Sequence, residues 1–171
     1  MKKYEFTGET KEIKLLFRTA VLHRIRATVS FGFVKIGDLG GWIEKEENLS
    51  HEGKAWVCGD AEVWGNAEVW GNAKVCGDAE VCGDAKVFSA SHVLVIGAIG
   101  SRNDFTTFYR DKDNEITVKC GCFLGKIDRF LEKVTQTHGD SKYALVYRAA
   151  VEVAKLQIDL SGEAPKDADE E

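Results

Sequence analysis

Proline, methionine and histidine are scarce in this chain of 171 residues, with one, one and four copies. The single proline, Pro165, lies in the terminal stretch "SGEAPKDADEE", so everything before it is free of the residue that breaks helices and sheet ladders. No apolar run approaches the ~20 residues needed to cross a bilayer, and no membrane partner is expected. The opening "MKKYEFTGETKEIK" is charged and lacks an apolar core, which argues against a secretory signal. Excess charge of one sign is also small: 23 basic against 28 acidic residues give −5, part of it in the acidic tail, so no nucleic-acid polymer is expected as partner. Five cysteines, an odd number in a chain without a signal peptide, read as a reduced, cytoplasmic protein.

What the chain does contain is a repeat. "GDAEVWGNAEVWGNAKVCGDAEVCGDAKVF" sets Val57, Val63, Val69, Val75, Val81 and Val87 six residues apart, with Ala55, Ala61, Ala67, Ala73, Ala79 and Ala85 in the same register. A period of six is neither the 3.6 of a helix nor the 2 of a strand. It suits a short extended segment followed by a turn, with valine pointing inward, alanine fitting a tight corner, and Gly-Asp or Gly-Asn accepting positive φ. Short fixed periods mark solenoids.

On these residues the chain resembles the hexapeptide repeat of left-handed parallel β-helices, specifically over residues 53 to 88 and fading through "SASHVLVIGAIG". The resemblance implies three hexapeptides per coil, with residues 18 apart stacked at the inter-strand spacing of about 4.8 Å. One face then carries Cys58 over Cys76, Asp60 over Asp78 and Glu62 over Glu80; a second carries Trp64 over Cys82 and Glu68 beside Lys86; the third carries Trp70 over Phe88, with Trp56, Lys74 and His92 in a neighbouring column. Outward tryptophans are costly to leave wet, so Trp64, Trp70 and Phe88 are candidates for a surface packed on another subunit or on the C-terminal unit. So short a solenoid needs caps. Self-association would cover the aromatic face, and the resemblance implies a homo-oligomer, a trimer.

The flanking segments are expected to supply those caps. Residues 1–50 read as an N-terminal β cap and residues 51–99 as the left-handed β-helix. Residues 100–160 read as a ββαα domain, and residues 161–171 as a disordered acidic tail. In the ββαα unit, "DFTTFYR" and "EITVKCGCF" form a hairpin. Ile127, Phe130, Leu131 and Val134 then mark a helix stopping at Gly139, and Tyr143, Val146, Tyr147, Ala150 and Ala154 the stripe of a second helix capped by Asp140 or Ser141. The expected fold class is mainly β with C-terminal α.

Enzymes built on this repeat set a chemical standard. Hexapeptide acyltransferases use a general-base histidine at a subunit interface, whereas the coil region here offers only His51 and His92, with a surface or interface role favoured for His92. A zinc site on the same fold needs three histidines. Cys120 and Cys122 with His138 could be drawn as metal ligands, but alternation along a strand favours core packing for the cysteines. Stacked Asp60/Asp78 and Glu62/Glu80 read as solvated rather than cation-binding. No catalytic residue, metal site or cofactor is therefore expected.

The stretch "GAIGSRNDFTTFYR", where the repeat ends, is richer. Ser101, Arg102, Asn103, Thr106, Thr107 and Arg110 combine arginine forks, hydroxyls and a glycine turn, a set suited to phosphate or carboxylate; the alternative is an ordinary connecting loop. "GDLGGWIEKEENLSHEG" before the repeat and "GSRN…TTF…VKCGCF" through "HGDSKYA" after it resemble small phage and prophage proteins that join a hexapeptide body to such a C-terminal unit. This resemblance implies a binding protein that sequesters a small anionic molecule, a nucleotide immune signal, in repeated pockets and without turnover. The rival expectations are a structural or protein-binding module acting through the Trp/Phe face, and an acyltransferase-like enzyme.

Overall fold

Every hexapeptide contributes a two-residue strand in the computed structural model, which describes residues 1–161. In chain order the strands are β1 (Tyr4–Lys14), β2 (Thr19–Ala27), β3 (Leu39–Ile43), β4 (Trp56–Val57), β5 (Glu62–Val63), β6 (Glu68–Val69), β7 (Lys74–Val75), β8 (Glu80–Val81) and β9 (Lys86–Val87). They are followed by β10 (Val93–Ile99), β11 (Asp104–Arg110), β12 (Ile116–Cys120), β13 (Phe123–Lys126), α1 (Ile127–His138) and α2 (Lys142–Gln157). The protein is mainly β with two C-terminal helices. None of the described helices is long and apolar enough to cross a membrane.

Strands 18 residues apart pair in parallel, Val57 on Val75, Val63 on Val81 and Val69 on Val87. All six valines are buried, as are the corner alanines, and together they form one continuous core. Full burial is worth about 1.5–3 kcal/mol per valine, so the inward column is the main source of stability in this region. Cys58 and Cys76, stacked as expected, have Cα atoms 4.6 Å apart, with their sulfurs facing each other. The rung register that superimposes the two side chains also sets their Cα separation inside the range a disulfide requires.

Stacking begins before the repeat is audible in the sequence. Ile43 pairs with Val63, and Leu49 with Val69, at an offset of twenty residues rather than 18. The two extra residues lie between Ser50 and Lys54, whose amides donate to the Val69 and Gly71 carbonyls. Before them, in a 3-10 turn at Glu46–Asn48, the buried Asn48 amide donates to the Ala67 and Gly65 carbonyls at 2.8 and 3.2 Å and accepts from the Lys45 amide. Residues 40–49 thus belong to the stack rather than to a separate cap. Gly41 makes this possible, because a Cβ there would lie 2.6 Å from the Ala61 carbonyl oxygen.

The remaining N-terminal residues close one end and one side. Tyr4, Phe31 and Val34 pack with the buried Trp56. Tyr4 donates to the Leu49 carbonyl at 2.7 Å, and the Lys3 ammonium donates to the Ala55 and Glu52 carbonyls at 2.8 and 3.2 Å. The β1–β2 hairpin lies along the stack, pinned by Lys11–Glu62 and Arg18–Glu44 ion pairs. Beneath it Trp64 is 4% exposed, packed with Leu22 and Cys82. Trp64 is therefore not an open subunit surface: the chain's own hairpin covers it. Trp70 and Phe88 stack as expected, with centroids 5.0 Å apart, and stay half-buried.

The other end meets a four-stranded antiparallel sheet in the order β10-β11-β12-β13, so the C-terminal unit is ββββαα rather than ββαα. The fading repeat supplies β10, and "EITVKCGCF" splits at Gly121–Cys122 into β12 and β13. Tyr109 reaches into the stack and donates to the Cys82 carbonyl at 2.9 Å, while Phe108 faces the helices with Ile116, Val118, Phe130, Val134 and Val151. α1 ends at Gly139 (φ +56°), as expected. Ser141 takes the cap position of α2, whose buried side is Ala144, Tyr147, Ala150, Val151 and Ala154, leaving Val146 exposed, contrary to the expected stripe. The acidic tail beyond Ser161 lies outside the described residues.

Candidate functional site

The β10–β11 turn is where the six expected ligand residues begin, and strand alternation divides them. Ser101, Arg102 and Thr106 border a cleft of about 320 Å³ between this turn, the β12–β13 turn, α1 and the inner side of α2. Asn103 sits on the exposed turn with φ +49°, its amide donating to the Gly100 carbonyl. Thr107 points away from the cleft, because successive strand residues face opposite sides. Its hydroxyl accepts from the Glu80 amide at 3.0 Å, fastening the sheet to the stack. Arg110 is buried at the sheet edge, donating to Asn114 Oδ1 at 2.8 Å and the Lys86 carbonyl at 3.2 Å, with its guanidinium 5.0 Å from the Phe88 ring centre. Thr107 and Arg110 are therefore engaged within the fold, and Asn103 is not on the cleft wall.

Two glycines shape the cleft. A Cβ at Gly100 (φ +75°) would lie 1.9 Å from the Tyr147 hydroxyl oxygen, so glycine alone lets the turn close over that ring. A Cβ at Gly121 (φ +55°) would lie 2.8 Å from Arg102 Nη1, which places the guanidinium across the β12–β13 turn. Arg102 and Lys133 make no hydrogen bond or ion pair among the described residues. Both are exposed, and the one carboxylate on the cleft wall is Asp104. Phe123, Phe130 and Tyr147 form an aromatic floor, Phe130 edge-on to Tyr147 at 5.7 Å, and His138 stacks on Tyr147 at 5.7 Å. Burial pushes the Tyr147 hydroxyl above its ordinary pKa, reinforced by neighbouring Cys120 and opposed by Arg102, so at neutral pH it is a hydrogen-bond donor. Thr106 donates to Cys120 Sγ at 3.4 Å.

Local sequence patterns do not announce Lys133, whose one signal is the helical spacing that puts it with Thr137 on a single side of α1, and they show His138 and Tyr147 only as a companion of Cys120 and Cys122 and as a member of the second-helix stripe. Cys120, Cys122 and His138 all border the cleft, but Cys122 is exposed on the turn and Cys120 is half-buried on the strand. No group of three or more His, Cys, Asp or Glu side chains among the described residues is placed to hold a metal.

A second groove of about 400 Å³ adjoins the cleft and collects Asp60, Asp78, Glu62 and Glu80 beside Lys11. Glu62 pairs with Lys11, and Glu80 with Lys119 at 3.5 Å. Burial raises the Glu80 pKa, opposed by Lys119 and reinforced by Glu62. His92, 3% exposed, accepts from the Phe88 amide at 3.3 Å, and burial with Arg110 nearby lowers its pKa; it is an interior histidine. No family model and no curated protein matches the chain. The functional reading rests on the cleft.

Proposed function

We propose that this chain is a phage- or prophage-type, homo-oligomeric binding protein that sequesters a small anionic ligand of the nucleotide-signal class without turning it over. In this reading the stacked rungs form a short left-handed parallel β-helix that carries the ββββαα unit. The 18-residue parallel register supports that body. What carries the ligand assignment is the pairing of two cations that have no protein acceptor, Arg102 and Lys133, with the aromatic floor of Phe123, Phe130 and Tyr147. Arg102 offers a planar fork to phosphate; Lys133 adds a point charge; Tyr147 and Ser101 offer hydroxyls; and a planar base gains from the rings. At about 320 Å³ the cleft is small for a ligand site and suits one nucleotide-sized unit. Sequestration requires affinity and complementary charge and no reacting group.

Thermal unfolding tests the reading with mononucleotides, cyclic dinucleotides and ADP-ribose derivatives as probes. A ligand at 100 times its Kd stabilises by about 2.7 kcal/mol, a readily measured rise in Tm. Arg102→Ala is expected to abolish that rise while leaving the ligand-free Tm unchanged, since its side chain makes no bond that holds the fold. If no probe moves the wild-type Tm and no small molecule co-purifies in native mass spectrometry, the proposal fails.

One observation favours a second reading, a protein-binding module. Leu16 and Phe17, 87% and 94% exposed, form the tip of the β1–β2 hairpin. That reading is distinguished by stoichiometric recovery of a protein partner that Phe17→Ser loses.

A further inference from the structure

The fold sets two of the five cysteines side by side on neighbouring rungs. Cys58 and Cys76 follow Val57 and Val75, which pair in parallel as β4 on β7, so each holds the same place in its own rung. Ladder bonds on both sides fix that register: the Cys58 amide donates to the Val75 carbonyl at 2.9 Å, and the Asp60 amide to the Gly77 carbonyl at 3.1 Å. A Cα separation of 4.6 Å is one that a disulfide spans without backbone movement. Both residues keep part of their surface open to solvent. The other three cysteines have no such neighbour. Cys82 is 1% exposed against Trp64 and Leu22, and burial pushes its thiol up to about 11, opposed by a hydrogen bond with the Tyr109 hydroxyl. Cys120 has Thr106 and Phe123 opposite it on the two adjoining strands, and Cys122 is exposed on the β12–β13 turn.

We propose that Cys58 and Cys76 are a reversible oxidation site, at which hydrogen peroxide closes a disulfide staple across two consecutive rungs and a dithiol reopens it. One thiolate attacks a peroxide oxygen, the O–O bond breaks, and a sulfenic acid and one water form. The second thiol attacks that sulfur, making the S–S bond and expelling a second water. The two sulfurs give up two electrons, the peroxide takes them, and the two thiol protons leave in the waters. A dithiol returns two electrons and two protons by exchange through a mixed disulfide. Because the ladder holds both Cα atoms in place beforehand, the second step joins preset partners within one chain, and neither form requires the fold to change. The staple spans one full coil, a sequence separation of 18 residues, so it removes freedom from the unfolded chain and makes the oxidised form the more resistant to unfolding. The site is remote in sequence from the cleft residues and stands whether or not the cleft binds an anion.

Peroxide titration of the fully reduced full-length chain is the test. Stoichiometric hydrogen peroxide is expected to lower the thiols open to alkylation in the denatured chain from five to three, since the pair leaves the pool. Cleavage after Lys and Glu separates Cys76 from Cys82 at Glu80, and mass spectrometry is expected to recover the Cys58 peptide joined to the Cys76 peptide. The Tm of the oxidised chain is expected to rise by about 6–12 °C, the loop-closure effect for a segment of this length, and dithiothreitol to return it. Cys58→Ser and Cys76→Ser each remove the rise, whereas Cys122→Ser keeps it. A link through Cys82, Cys120 or Cys122, a link between two copies, five thiols surviving peroxide, equal Tm in the two forms, or a rise that persists in Cys58→Ser or Cys76→Ser each overturns the inference.

Discussion

Truncating Trp64 separates a side chain buried within one copy from one buried between copies. Its indole is 4% exposed beneath the hairpin, against Leu22 and Cys82, and the hairpin is itself fixed by ion pairs to the stack. Trp64→Ala leaves a cavity whose walls cannot collapse freely, because the rung beneath is held by parallel ladder bonds and the hairpin above by its own pairing. The cost of such a truncation is about 3–5 kcal/mol, a large share of a domain stability of about 5–15 kcal/mol. At roughly 2–4 °C per kcal/mol, the Tm falls by about 6–20 °C. Urea unfolding followed by far-ultraviolet circular dichroism at two protein concentrations reads the effect. Burial within one copy gives the same loss at both concentrations, whereas an inter-subunit tryptophan gives a loss that shrinks on dilution. Leu22→Ala shares the cavity, so the double variant loses less than the sum of the singles. A Trp64→Ala protein within about 1 kcal/mol of wild type would refute the covered position.

Lys3 and the turn glycines give two further tests. Burial lowers the Lys3 pKa from 10.5 to about 8, against an opposing pull from Glu52. Between those values the unfolded chain holds more protons than the folded one, so this residue's contribution to stability rises as pH climbs from about 8 toward 10.5. The urea midpoint of wild type minus that of Lys3→Met should therefore increase across the window, and a flat difference would contradict a buried ammonium. Gly71 and Gly77 both have positive φ, +63° and +71°, but a Cβ at Gly71 would lie 2.6 Å from the Phe88 carbonyl oxygen, whereas nothing lies within 4 Å at Gly77. Gly77→Ala should cost about 1 kcal/mol from backbone strain and Gly71→Ala at least twice that, measured as urea midpoints; equal costs would show that the stacking at Gly71 is loose.

The legible part of this fold is the part where one local rule repeats. Six-residue valine spacing places Val57 on Val75 and Trp70 on Phe88, because each hexapeptide makes the same turn and errors do not accumulate. Ile43 and Leu49 belong to the same stack and are silent, since two extra residues between Ser50 and Lys54 break the period and Asn48 ties the first rung to the next with hydrogen bonds that no pattern of hydrophobicity records. Trp64 fails for a related reason. Periodicity distinguishes inward from outward side chains but does not tell which outward residue a distant hairpin will cover, and Leu22 is more than forty positions away. At the candidate site, the strand rule that separates Thr106 from Thr107 was available in "DFTTFYR", but a run of polar residues reads as one cluster until the sheet's two neighbours, the stack and the helices, are known.

α2 shows the same limit most sharply. Its buried side is built largely from small residues, Ala144, Ala150 and Ala154 around Tyr147 and Val151, because the helix lies close on the sheet. Its larger aliphatic residues, Leu145, Val153 and Leu156, point outward. Hydrophobicity weighted by size therefore directs attention to the wrong side. The helix is ambiguous in sequence because the side that packs closely is the side built from small residues, and spacing alone does not tell it from the side that carries Leu145, Val153 and Leu156.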